Sequence, residues 1–184
     1  MLDCPNQCIY LQQAREHERG RFIEQVGSAQ VFGRIEIDEH FLHQHEPLIL
    51  GLSYALAKSA RADHAIRDPD LIATLQSLAR RYEMLTESGL HYEQPITSLA
   101  GQTIASDFEE SIREYRAAEQ KHLGYSRLRD SEIFLVLVVL LRIAYSHTSG
   151  RPKSRGFTEF LFRQFPEEPL IRSAAGEASR LIVP

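Results

Sequence analysis

The chain has no tryptophan, two cysteines and no apolar run longer than nine residues in its 184. Each shortage removes a class of protein. A membrane-spanning helix takes roughly 20 apolar residues, so the longest run, Ile133 to Leu141, is too short to be one. Cys4 and Cys8 cannot staple a small secreted scaffold, and the opening Met-Leu-Asp-Cys-Pro-Asn-Gln has neither the basic nor the apolar stretch of a secretory signal. A reducing cytoplasm is therefore the expected setting. The net charge of −4 does not suit a protein that coats nucleic acid. Gly-x-Ser-x-Gly, Gly-x-Gly-x-x-Gly, a phosphate-binding P-loop and His-Glu-x-x-His are all absent, and no internal repeat or low-complexity tract occurs. No catalytic residue can be assigned, and a non-enzymatic protein is expected.

What is present is material for a core. The run Ile-Phe-Leu-Val-Leu-Val-Val-Leu-Leu has no polar face and must be covered on all sides. Its three valines and flanking isoleucines would also suit a buried strand, but with Ile143, Ala144 and Tyr145 added it is long for one. The reading is a central helix over 131–147, capped by Asp130 or Ser131 and stopped at Gly150-Arg151-Pro152. Amphipathic stripes surround it. Asp38 is placed to cap a helix carrying Phe41, Leu42, Ile49, Leu52 and Leu56, which Pro47 either kinks or restarts. Asp68-Pro69 reads as a cap and a first-turn proline, followed by Leu71, Leu75, Leu78, Tyr82 and Leu85, with Gly89 as the stop. Ile96, Ala100, Ile104, Phe108, Ile112 and Tyr115 form the next stripe, ended by Gly124, with Glu109 and Arg113 spaced for an i,i+4 pair.

These elements imply an all-α protein. The expected form is an antiparallel four-helix-type bundle around the buried helix, with extra N-terminal and C-terminal helices. One domain is expected in all. Residues 1–37 form a peripheral arm with a helix over 8–25 and a short extended piece (Val31, Gly33, Ile35, Ile37). Residues 38–150 form the bundle. Residues 151–184 supply an aromatic helix from Phe157 to Phe165 and a last helix from Pro169 to Leu181 that pack on it.

Four groups of side chains have the right chemistry to bind something. If successive helices run up, down, up and down, His43, His45, His91 and His147 gather at one end of the bundle near several glutamates. Imidazoles with carboxylates bind zinc, iron or manganese, although solvated or capping histidines account for the same positions. A ferritin-like di-iron site needs Glu-x-x-His on two helices and only Glu119-Gln-Lys-His122 has that spacing, while the histidines four apart on one helix of haemerythrin-like sites do not occur. On a helix Cys4 and Cys8, at C-x3-C spacing, would share a face and could hold a soft metal, but they supply two of the four ligands a closed zinc site needs. No cofactor is expected.

Gly150-Arg151-Pro152 matches the core of an AT-hook, without the basic residue that should precede the glycine. With Lys153 and Arg155 it makes a basic loop able to contact phosphates, or simply to offset the dipole of the core helix. Phe157, Phe160 and Phe162 form a broad apolar arc that either docks a partner or closes the bundle as a lid. The function that fits these features is an interaction or regulatory module with a protein partner or as a homodimer. A metal- or ligand-binding bundle is the alternative, and nucleic-acid binding through Arg151, Lys153 and Arg155 the second alternative. Membrane insertion is not expected.

Overall fold

The computed structural model describes residues 32, 35–89 and 95–166. The expected helices over 8–25 and Pro169 to Leu181 lie outside the described residues, as do Cys4, Cys8 and His91. Among the described residues all regular structure is helical: α1 (Glu39–Gln44), α2 (Glu46–Ala62), α3 (Asp68–Ser88), α4 (Leu99–Leu123), α5 (Asp130–His147) and α6 (Gly156–Gln164). Residues 35–38 are irregular, so the alternation of Ile35 and Ile37 does not make a strand. A lone extended segment has no partner to complete its hydrogen bonds.

Local chemistry sets most helix ends. The Asp38 carboxylate accepts the Phe41 N–H at 2.7 Å and caps α1. The chain then breaks at His45, and Pro47 sits in the first turn of α2, so the restart, not the kink, is what forms. Gly89 and Gly124 stop α3 and α4 in the left-handed conformation, with φ of 66° and 82°. The N-caps of α3 and α5 fall one residue earlier than expected, at Arg67 and Arg129. In each case a carboxylate at the third helical position, Asp70 or Glu132, accepts the cap residue's own N–H. Asp68, read from sequence as the cap of α3, is therefore inside that helix and free for another use.

α5 is the spine. Val136 through Leu141 are six consecutive buried residues, more than one full turn. Each such Leu, Ile or Val side chain contributes about 1.5–3 kcal/mol by leaving water. Leu71, Leu75, Leu78, Ile104, Phe108 and Ile133 join Val136, Leu137, Leu140 and Leu141 in one continuous core with Leu52 and Leu56 of α2.

Helix directions follow from paired contacts. Ser59 meets Asp107 at 2.7 Å, and Leu48, Gly51 and Ala55 lie opposite Tyr115 and Ser111, so α2 and α4 are antiparallel. Arg116 at the end of α4 meets Asp130 at the start of α5 at 2.7 Å, which makes that pair antiparallel too. α3 and α4, however, run the same way. A methyl on Gly101 would lie 3.1 Å from Thr74 Oγ1, and Arg81 pairs with Glu109 at 2.6 Å, so both helices advance together. The ten residues 89–98 can span about 33 Å when extended, enough to return along the roughly 31 Å of α3. Pro95 and Ile96 lie beside Ser77, Leu78 and Gln102 on that return. The bundle is thus up, down, down, up from α2 to α5. The expected intrahelical pairing of Glu109 with Arg113 is replaced: Glu109 joins α3 to α4, and Arg113 turns to Glu110.

α6 closes the end of the bundle where α2 finishes, α3 begins and α5 ends. Phe157 and Leu161 enter the core. Its first turn is capped from 90 residues away. The buried Asp68 carboxylate accepts the Phe157 and Thr158 N–H groups (3.2 and 3.0 Å) and the hydroxyls of Thr158 and Ser154 (2.9 and 2.6 Å). The Asp68 N–H in turn donates to the Ser154 carbonyl at 3.0 Å. Thr148 and the Ser149 N–H extend this network by donating to the Ser154 hydroxyl. Every buried side-chain N or O among the described residues has a partner, as a buried polar network requires.

Candidate functional site

The histidine grouping does not form among the described residues. His45, at the junction of α1 and α2, is buried; its ring packs on Phe41 and its Nε2 lies 3.8 Å from Glu132 Oε1 at the start of α5. His147 lies in the last turn of α5, stacked on Phe160 with ring centres 3.9 Å apart. Fifteen residues of helix separate Glu132 from His147, about 22 Å. His43 is exposed on α1. The gathering of His43, His45 and His147 depended on alternating helix directions, and the parallel run of α3 and α4 sends His147 to the opposite end. Among the described residues, no group of three or more His, Cys, Asp or Glu is arranged to hold a metal ion.

The basic loop and the aromatic arc also resolve. Arg151 and Lys153 are on the surface, and the loop between them is a turn closed by the Ser154 N–H on the Arg151 carbonyl at 2.9 Å. Arg155 is the N-terminal cap residue of α6. Phe157 is wholly buried, Phe160 lies on His147, and Phe162 lies under the Arg61 guanidinium. The arc offered as a partner surface is instead the inner face of the lid, because Asp68 holds α6 with that face inward.

A different surface remains open. α2 is buried on the sides that meet α4, α5 and α6, yet Pro47, Leu50, Gly51, Tyr54 and Lys58 recur at spacings of three and four along one exposed stripe. Leu50 is 50% and Tyr54 53% exposed. A single exposed leucine is ordinary; two large apolar side chains on one stripe, either side of a glycine, make a seat. A side chain added at Gly51 would meet nothing within 4 Å, so there is a notch between them. Beside the stripe a cleft of about 260 Å³ opens between α2 and α4, lined by Leu48, Leu52, Ala55, Ser111 and Tyr115 among others. At the far side of Tyr115 a second cleft of about 170 Å³ has a polar lining of Gln44, His45, Glu119, Arg127 and Glu132. One oxygen of Glu119 accepts the Ser126 hydroxyl and the Arg127 and Leu128 N–H groups, which fixes the α4–α5 corner forming that wall. The groove is thus apolar along α2 and charged at its end.

Burial, and then the Glu119 and Glu132 charges, push the Tyr115 phenol above its ordinary 10.0, so at neutral pH it stands in the groove as a neutral group. Burial raises Tyr82 and Tyr145 as well, partly offset by Arg81 and Arg80 respectively. A raised folded-state value means the folded chain holds these protons more tightly. Their contribution is complete below pH 10 and is lost as pH rises past it, where the unfolded chain ionises first. Urea midpoints should therefore fall between pH 9 and 11, and the Tyr145→Phe variant should fall less steeply; parallel slopes for the two would contradict this.

The stripe expected for this helix, Phe41, Leu42, Ile49, Leu52 and Leu56, left out Leu50 and Tyr54, so the α2 seat was not anticipated from the sequence. The available signal was an excess: Leu48, Ile49, Leu50, Leu52, Tyr54, Ala55 and Leu56 are more apolar positions than one buried face can take. No helix among the described residues is long and apolar enough to cross a membrane. Comparison with known proteins finds no family model, no curated protein and no solved structure that matches this chain.

Proposed function

We propose that the protein is a non-enzymatic helical interaction module that seats an amphipathic partner helix on the exposed face of α2. The observation that carries this reading is the stripe Leu50–Gly51–Tyr54 bordering the apolar α2–α4 cleft. Amphipathic helices bind such grooves by laying side chains at i, i+3, i+4 and i+7 into them. A ridge of large side chains around a notch is the shape that such an arrangement needs. The charged end of the groove, with His45, Arg127, Glu119 and Glu132, supplies direction, since charge complementarity fixes orientation more than strength.

The His45–Glu132 pair favours a metal less. It offers two donors, fewer than structural zinc sites use.

A photoreactive benzophenone side chain at position 50 tests the reading in cells expressing the chain. Adducts to another polypeptide are expected from that position and not from an identical label at exposed Lys121 on α4. Tyr54→Glu should reduce them at least tenfold, the usual scale for a buried anchor. Equal adducts from both positions, or none from position 50, would overturn the proposal.

A further inference from the structure

We infer that the occupant of the α2 seat is the α2 helix of a second copy of this chain, laid antiparallel about a two-fold axis level with Leu52. This rests on the interaction reading and names the partner of that same surface.

The exposed edge of α2 is its own complement. Glu46, Leu50, Tyr54 and Lys58 follow at every fourth position, and all four are exposed. Residues four apart form one ridge along a helix, so this ridge reads acid, leucine, tyrosine, base. Turned end for end it reads base, tyrosine, leucine, acid. A two-fold axis midway between Leu50 and Tyr54 therefore brings Glu46 of each copy to Lys58 of the other, and Leu50 to Tyr54. Such contact of a patch with itself is the commonest way in which identical chains associate. Neither charge is spent within the chain: among the described residues, Glu46 and Lys58 have no ion pair. The antiparallel arrangement also sets the positive end of each helix dipole beside the negative end of the other.

The shape agrees with the charge. Ridges of one helix pack into the grooves of the next. Beside the ridge from Glu46 to Lys58 runs the row Pro47, Gly51 and Ala55, which has no side chain at its centre. A Cβ at Gly51 would meet nothing within 4 Å, so the groove is open there. Tyr54 of one copy enters it over Gly51 of the other. The Phe165 ring, edge-on to Tyr54 with centres 5.8 Å apart, widens the apolar contact. Glu46 and Lys58 stand about 9 Å to either side of the axis, where charged side chains form a polar rim around the apolar centre. A contact made by one pair of helices lies at the small end of specific interfaces, so the dimer is weak, half-formed at about 10–100 µM.

Sedimentation equilibrium of the purified 184-residue chain tests this over about 5–500 µM. A reversible monomer–dimer equilibrium is expected. Glu46→Lys and Lys58→Glu should each weaken it about tenfold, since either sets like charges together at both ends of the contact. The two changes combined should restore it to within about threefold of the unaltered chain. Gly51→Gln should weaken it about tenfold or more by filling the groove, without lowering the melting temperature of the dilute monomer, because glutamine favours a helix over glycine. A chain that stays monomeric at the top of this range overturns the inference. So does a dimer that Gly51→Gln leaves intact, or a pair of charge reversals that fail to rescue each other. If the chain is monomeric but benzophenone at position 50 captures a different polypeptide in cells, the second copy fails and the interaction reading stands. Loss of both signals removes both.

Discussion

Replacing Asp68 by alanine will lower stability by about 4 kcal/mol, or roughly 8–16 °C in melting temperature for a chain of this size. The carboxylate serves four donors, two of them backbone N–H groups of α6, at a position with no exposure to solvent. Removing it leaves those donors buried without acceptors, each costing about 1–3 kcal/mol, less whatever water the vacated space admits. Asp68→Asn should cost about half as much, because one side of the group still accepts while the amide nitrogen faces donors. The change will be local before it is global: hydrogen exchange at Phe157 and Thr158 should accelerate ahead of Leu137 in α5. Uniform acceleration along the chain would show that Asp68 does not act as the cap of α6.

Gly156→Ala should be nearly as damaging, by about 3 kcal/mol, although it adds only one methyl. A Cβ at Gly156 would overlap the backbone carbonyl oxygen of His147. The oxygen is main chain in the last turn of α5, and the Cβ is fixed directly to the main chain in the first turn of α6, so neither can rotate away. Flexible side chains yield to an added methyl, whereas packed backbone does so at a cost of about 1–3 kcal/mol or more. The only relief is to withdraw α6, which pulls Phe157 and Thr158 from Asp68. The double variant should therefore lose less than the sum of the two single losses, since both detach the same helix. Calorimetric melting of the four proteins decides it; strict additivity would mean that the two contacts act independently.

Both effects lie in the junction of α3, α5 and α6, and neither residue announces itself in the sequence. Asp68-Pro69 has the form of a helix start, and the start does fall there within one residue. The carboxylate nevertheless serves a helix 90 residues away, and no local pattern encodes such a partner. Gly156 reads as ordinary punctuation after a proline-containing loop until α5 and α6 are brought together. Leu50 and Tyr54 were hidden differently. Their apolar character was plain, but which apolar positions of α2 remain uncovered depends on how many neighbours pack around it.

The periodic apolar stripes and the capping and stopping residues were sufficient to fix helical identity, the buried spine over 131–147 and most boundaries. Those are local properties, determined by 3.6-residue spacing and by the backbone demands of Asp38, Pro47, Gly89 and Gly124. The directions of the helices were not local. The link from α3 to α4 is long enough either to turn at once or to return along the bundle, and only burial of the facing stripes selects between them. That selection made α3 and α4 parallel, separated His45 from His147, turned Phe157 inward and left the face of α2 open. Whether a side chain forms a site depended on which helices met, a matter of packing that the one-dimensional pattern does not contain.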